Sequence, residues 1–298
     1  MIDARTDEDY HQLALLGTPP GQPGSGRVRY GAAMYFNRTG RLSDAALEVY
    51  RTCSPCDGED PSALLRERGL GAEVPGPAPA ARPAALLALV EAAASYLAGL
   101  EGPGLAEVRA GLARGRRNLS PSGGEGTAHA VVARWLHPAI ESLAGDRPDL
   151  ARAIGAAAPF LDWSAFDGYP RDQIGADFTD GHAFASLVGE VAPFAARDWE
   201  FGLFLIAPHV LYRDHRHIAP ELYAPLTGPH GWRFGPNRPL QIRPAHRPVW
   251  NDPLVPHLTK VGPVPFLCFY CWTRDVNAGA EVVAATDWPA LETLRLPY

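Results

Sequence analysis

The residues best placed to do chemistry lie in Leu211-Tyr212-Arg213-Asp214-His215-Arg216-His217-Ile218-Ala219-Pro220-Glu221-Leu222-Tyr223. His215 and His217 are two apart, so on a strand they share a face with Cα atoms roughly 7 Å apart. That spacing lets two imidazoles converge on one ion. Ile218-Ala219-Pro220 reads as a tight connection into the next strand, from which the Glu221 carboxylate can swing back. His257, inside Val255-Pro256-His257-Leu258-Thr259, would supply a ligand from the opposite wall. His215, His217, Glu221 and His257 make a mixed nitrogen and oxygen set. It suits one divalent transition metal (zinc, iron, manganese, nickel or cobalt) and disfavours calcium and magnesium.

Each residue also has a bland reading. His215 could be a surface turn residue beside Arg213, Asp214 and Arg216, Glu221 a solvated charge, and His257 a core histidine. A lone His-x-His is a weak signal; its conjunction with Glu221 and a proline-preceded histidine carries the metal expectation. His182, His209, His230 and His246 read as turn or surface residues, and His129 and His137 as helix residues without a role. The cysteines fall in two pairs, Cys53/Cys56 and Cys268/Cys271. The second pair sits in a strand-like run, where side chains alternate faces. Those two thiols would point opposite ways and could not clamp one ion.

The elements that must hold this set change in texture along the chain. Helical spacing of apolar residues predicts helices over 42–50, opened by Ser43, and over 61–69, with Pro near the start and Gly at the end. Residues 74–83 read as a proline/alanine linker. Further helices are expected over 84–100, 105–117, 127–143 with a kink or break near Pro138, and 148–158; residues 121–126 read as a polar loop. After Phe160 the pattern turns to short runs of β-branched and aromatic residues at 182–188, 200–207, 221–227, 231–234, 240–243, 255–261 and 264–272. Regular short strands predict a sandwich or closed barrel. The expected organisation is a helical extension at 1–80, a helical region at 81–159 that packs on the barrel, and a barrel at 160–298.

The chain has 298 residues, 46% hydrophobic and 20% charged, which is enough to bury a core. A net charge of -6 with only a short Arg114/Arg116/Arg117 cluster argues against nucleic acid and membrane partners. Residues 1–9 are acidic and polar, without the regions of a secretory leader, which predicts a cytoplasmic location. The apolar stretch at 83–100 is Ala-rich, contains Glu91 and reads as a packed helix.

Tyr212-x4-His217-x3-Glu221-x-Tyr223, with His215 inside it, resembles the signature of the cupin-type dimethylsulfoniopropionate lyases. Leu161-Asp162-Trp163, Gly202-Leu203-Phe204-Leu205-Ile206-Ala207-Pro208, Leu222-Tyr223-Ala224-Pro225-Leu226-Thr227-Gly228, Pro256-His257 and Tyr270-Cys271-Trp272-Thr273-Arg274-Asp275 resemble further blocks of that family, over about 125–285. Pro225 and Pro229-His230 depart from its usual pattern. The resemblance implies an α+β chain whose helical N-terminal half is followed by a C-terminal cupin (jelly-roll) β-barrel. It implies His215, His217, Glu221 and His257 as metal ligands and Tyr223 as general base. Tyr212 would be a second pocket tyrosine, reaching in from the rim ahead of the metal strand. The substrate would be a small carboxylate with a β leaving group, and a sulfonium departs well because it leaves neutral. Trp163, Trp232, Phe234 and Trp272 are candidates to hold such a cation over their rings, against an ordinary core role.

Rival functions differ in what they need. Another cupin enzyme, a dioxygenase or an isomerase, fits the same ligands, but a dioxygenase has no use for a base such as Tyr223 beside the metal. A ligand sensor would use the helical half as an output module, yet that half shows no helix-turn-helix signal and no basic face. A homodimer is compatible with the sequence.

Overall fold

The computed structural model describes residues 7–75, 82–119, 126–127 and 129–297. Most of the expected linker (76–81) and most of the expected polar loop (121–125) lie outside the described residues.

Four helices come first: α1 (Asp7–Leu16), α2 (Ser25–Arg38), α3 (Asp44–Cys53) and α4 (Pro61–Glu67). Their own small core includes Leu13, Phe36, Val49 and Leu65. Ser43 caps α3 by accepting from the Ala46 amide at 3.1 Å, and Asp60 caps α4 by accepting from Ser62 at 2.9 Å. Each such cap is worth about 1 kcal/mol. The next four helices are α5 (Arg82–Ala98), α6 (Leu105–Gly115), α7 (Ala130–Ala144) and α8 (Pro148–Ala157). α1 packs against α7 and α8, with His11 stacked on His137 at 3.9 Å between ring centroids. α7 continues through Pro138 without the break that the sequence allows there. Its buried face of Val131, Val132, Leu136, Ala139 and Leu143 holds it against its neighbours, which offsets one missing backbone hydrogen bond.

Two short helices, α9 (Arg171–Ile174) and α10 (Ala176–Gly181), lead into eleven strands among the described residues. These are β1 (His182–Gly189), β2 (Phe194–Ala195), β3 (Glu200–Ile206), β4 (Leu211–His217), β5 (Glu221–Pro225), β6 (His230–Phe234), β7 (Gln241–Arg243), β8 (Val249–Asn251), β9 (His257–Lys260), β10 (Phe266–Trp272) and β11 (Ala280–Val282). A last helix, α11 (Trp288–Thr293), follows. One sheet has the order β2-β1-β3-β10-β5-β8 and the other β11-β4-β9-β6-β7. From β3 to β10 the chain steps between the sheets and leaves the orders β3-β10-β5-β8 and β4-β9-β6-β7 facing each other. That is the double-sheet jelly roll of a cupin.

Alternation along β10 shows how the layers are made. Phe266, Cys268 and Tyr270 face the barrel interior with Tyr212, Tyr223 and Trp232. Leu267, Phe269 and Cys271 face the helices, against a core that includes Leu86, Leu89, Val108 and Ile154. Cys268 and Cys271 therefore point to opposite sides, and all four cysteines are free. Both faces of β10 are covered, which is why it reads as an unbroken apolar run.

Several sequence expectations need correction. His182 and His230 are 0% and 1% exposed, not turn or surface residues. His182 accepts from the Phe166 amide at 2.8 Å, and His230 from the Gly262 amide at 3.1 Å, so each ties a loop to a strand start. His209 and His246 do sit at turns with positive φ. His129 caps α7 instead of lying within it. β2, β8 and β11 have no counterpart among the expected strands, because two or three residues carry no readable alternation.

Candidate metal centre

β4 and β9 are antiparallel neighbours, and His215 stands directly opposite His257. β4 carries an irregularity between Tyr212 and His215. Residues three apart on a regular strand face opposite sides; a bulge restores them to one face. Tyr212 is consequently an interior residue of the metal strand itself, not a rim residue ahead of it. Its ring stacks on His215 at 3.8 Å and on Phe178 at 3.9 Å.

His215, His217 and His257 are buried, and one ring nitrogen from each lies within 4.8 Å of the others. Each Nδ1 donates to a nearby backbone carbonyl: His215 to Arg213 at 2.9 Å, His217 to Ala219 at 2.8 Å, His257 to Val255 at 3.0 Å. A carbonyl can only accept, so Nδ1 carries the proton and each Nε2 offers a bare lone pair. None of these buried Nε2 atoms has a hydrogen-bond partner among the described residues. Glu221 joins them. Its Oε2 lies 3.3 Å from His217 Nε2 and 3.5 Å from His257 Nε2. Lone pair facing lone pair at that range is repulsive unless a proton or cation lies between them. The carboxylate is fixed from behind: Asn251 Nδ2 donates to Oε2 at 2.7 Å and Trp272 Nε1 to Oε1 at 2.8 Å. The donor set thus fits a divalent transition metal on its own geometry.

The electrostatics agree. Burial, then the neighbouring His257 and His217, push His215 well below the usual histidine value. Burial opposes charge on His217 too, but Glu221 outweighs it and raises that histidine. Burial likewise opposes the Glu221 charge, yet His217 and His257 hold it well below the usual carboxylate range. The cluster already favours one carboxylate facing positive charge.

Tyr223 lies on β5 two residues beyond Glu221 and is 3% exposed in the interior, its ring 5.7 Å from Trp232. Its hydroxyl has no hydrogen-bond partner among the described residues. The Tyr212 hydroxyl meets that of Tyr169 at 3.0 Å. Burial raises both phenols well above their usual value, with the Glu221 charge adding for Tyr223 and Tyr169 adding for Tyr212. Of the aromatic candidates, Trp232 and Phe234 line the barrel and Trp272 holds Glu221. Trp163 does not reach the interior; it is buried on the helix side and donates to the Ala158 carbonyl at 3.1 Å. Sequence reasoning missed Asn251, Trp272 and Tyr169 as partners of site residues. Trp272 lies within a block of family resemblance, but strand pairing across the sheet is what joins it to Glu221.

A jelly roll whose interior gathers three histidines and a glutamate with two tyrosines is a cupin with a donor set suited to a metal. The dimethylsulfoniopropionate lyase family profile matches residues 112–268, and the chain belongs to that family. The match spans the whole stretch from Tyr212 to His257. Dimethylsulfoniopropionate lyase DddQ of Ruegeria pomeroyi is 29% identical over 109 residues, 37% of this chain and 54% of the relative, so the aligned part spans about half of that protein. In structure, the chain resembles one from the crystal structures of the lyases RdDddP and RnDddQII, with a TM-score of 0.50 and 22% identity over 68% of this chain and 99% of that one. A crystal structure of DddQ from Ruegeria pomeroyi gives 0.42 and 23%, over 61% and 94%. At these identities the structural likeness is one of fold.

Proposed function

We propose that this chain is a metal-dependent carbon–sulfur lyase that performs β-elimination on a small carboxylate, releasing acrylate and dimethyl sulfide from dimethylsulfoniopropionate. The observation that carries the reading is the set of three unpartnered Nε2 atoms beside Glu221, with the Tyr223 hydroxyl on the same interior face. His215, His217, Glu221 and His257 would hold one divalent transition metal. When bound, it would act as a Lewis acid toward the substrate carboxylate and acidify the α C–H.

The chain's own groups do the rest. Tyr223 takes the α proton. The C–H electrons form the Cα–Cβ double bond, the Cβ–S electrons leave with sulfur, and dimethyl sulfide departs uncharged. A phenol buried beside Glu221 resists ionisation, so it needs positive charge close by. Tyr212, braced by Tyr169 and stacked on His215, contacts substrate and supports the site. Phe204, Trp232 and Phe266 keep the interior apolar, which limits water at the base.

The test is incubation of metal-reconstituted protein with dimethylsulfoniopropionate, with acrylate and dimethyl sulfide quantified together. Equimolar products that vanish on chelation and return with metal support the reading. Their absence across zinc, iron, manganese, nickel and cobalt overturns it.

A further inference from the structure

Glu200 is a charged group on the interior face of the barrel that the proposed chemistry does not use. It opens β3 and lies opposite Trp272 on β10, which in turn lies opposite Glu221 on β5. The two carboxylates therefore flank one tryptophan at the same level, two strand spacings apart, on the order of 10 Å between Cα atoms. One rung deeper, Tyr270 pairs with Tyr223.

The Glu200 side chain is positioned, not loose. Its Oε1 accepts from the Tyr270 hydroxyl at 2.8 Å and from the Ser186 hydroxyl. Ser186 and Tyr270 also meet each other, at 3.1 Å. Both donors are neutral and both reach Oε1, so Oε2 and the charge are left uncompensated, and Glu200 forms no ion pair among the described residues. Glu200 and Trp272 share the end rung and are only partly buried, as are Ser186, level with Tyr270, and Phe184, one rung further in, whereas Tyr270 and Tyr223 are buried. These half-exposed residues form one open edge of the barrel interior. It joins a fixed, unpaired carboxylate to aromatic rings, with Phe184 set edge-on to Tyr270 at 6.1 Å. That is the chemistry that recognises a soft, weakly hydrated cation.

The geometry points to Glu200, held by Ser186 and Tyr270, as the group that selects the onium end of the substrate while its carboxylate end lies toward Glu221 and the histidines. This assignment rests on the pocket proposed above. It makes the substrate class short acids with a sulfonium or quaternary ammonium at the far end. It also orients the molecule so that the carbon between its ends lies toward Tyr223, which neighbours Tyr270.

The experiment is direct binding by calorimetry to the full-length, metal-loaded protein, using two unreactive acids of the same shape. These are 3-(trimethylammonio)propanoate, which is cationic at its far end, and 4,4-dimethylpentanoate, which is neutral there. Wild type should prefer the cationic acid on the order of tenfold, a value between an exposed ion pair and a fully desolvated one. Glu200→Gln should erase that preference by weakening only the cationic acid. Glu200→Asp keeps the charge one methylene further back and should show an intermediate preference, so the comparison survives an unfolded Glu200→Gln protein. No preference in wild type, an intact preference in Glu200→Gln, or equal loss of both acids overturns the assignment; equal loss marks a merely structural carboxylate. The lyase reading fails separately. Wild type that discriminates between the two acids but forms no acrylate keeps the subsite and loses the lyase. Wild type that forms acrylate without discriminating loses the subsite alone.

Discussion

Tyr212 lies flat against His215, ring centroids 3.8 Å apart and planes 14° from parallel, because β4 is irregular between them. Without that irregularity the tyrosine would face away from the histidine cluster. The local break in pairing therefore places a hydroxyl and an imidazole side by side, and the Tyr169 hydroxyl fixes the tyrosine from the other end.

The ligand assignment predicts graded losses of metal. Protein as purified should hold close to one equivalent of a first-row transition metal. His217→Ala or His257→Ala deletes a ligand and should remove most of it. Trp272→Phe and Asn251→Ala each leave the ligands in place but free one side of Glu221, and should weaken affinity by about 10- to 100-fold. Elemental analysis after dialysis against a graded chelator reads both effects. Full occupancy in both histidine variants would sink the site.

A second prediction concerns the outer face of the metal strand. Asp214 and Arg233 both have fully buried side chains and are joined by two hydrogen bonds, one of them Arg233 Nε to Oδ1 at 3.0 Å. Trp288 at the start of α11 donates to the same aspartate at 2.8 Å, and Asp287 accepts from Arg233 at 2.6 Å. Arg233→Met would strand the Asp214 charge and should cost about 3–5 kcal/mol. The denaturant midpoint measures it, and a loss under about 1 kcal/mol would mean that water reaches the pair.

Acid stability follows from two buried histidines outside the His215, His217 and His257 cluster. Burial lowers His182 to about 4 and His230 to about 3. The hydrogen bonds require this, since each ring accepts a backbone amide on one nitrogen. The unfolded chain takes up protons near pH 6.5 and the folded chain does not, so their stabilisation is complete above that pH and is lost as pH falls. Between about pH 6.5 and 4 the loss should approach about 1.4 kcal/mol per pH unit for each histidine. His230→Asn should remove about 1.4 kcal/mol per pH unit from the slope over that window, whatever its effect at neutral pH. An unchanged slope would mean that His230 is not linked to folding.

Some levels of this structure are readable in the sequence and others are hidden. The strand that carries His215 and His217 is legible from their spacing, and β10 from its apolar run, because a covered strand needs apolar residues on both faces. Ser43 announces the start of α3. The placement of Tyr212 is not legible, since a bulge leaves no composition signal in Tyr212-Arg213-Asp214-His215. Nor are the roles of Asn251, Trp272 and Glu200, which depend on which strands become neighbours. Buried His182 and His230 look like turn residues because histidine burial is decided by the amide that reaches the ring, and that amide lies 16 or 32 residues away. The aromatic Trp163 belongs to the helix side for the same kind of reason: its indole answers a carbonyl five residues before it.

The base assignment gives the sharpest kinetic test. Tyr223 faces the interior two residues beyond Glu221, and its hydroxyl has no other partner among the described residues, so nothing in the fold needs that oxygen. Tyr223→Phe keeps the ring against Phe204, Trp232 and Phe266 and should leave folding and metal content unchanged. Turnover should fall by on the order of 10² or more, the usual scale for a lost general base. Tyr212→Phe also keeps its stacks on Phe178 and His215 but gives up the hydrogen bond to Tyr169. It should act mainly on KM, with a smaller loss in kcat. The two hydroxyls share one pocket, so each single variant and the double must be assayed on dimethylsulfoniopropionate with the same metal. A double variant no worse than Tyr223→Phe assigns the proton to Tyr223 alone. If Tyr223→Phe keeps near-full turnover and Tyr212→Phe abolishes it, the roles are exchanged, and the Tyr169 hydroxyl becomes the group that tunes the base. If none of the three variants loses activity, no tyrosine takes the proton and a tyrosine-driven elimination is wrong.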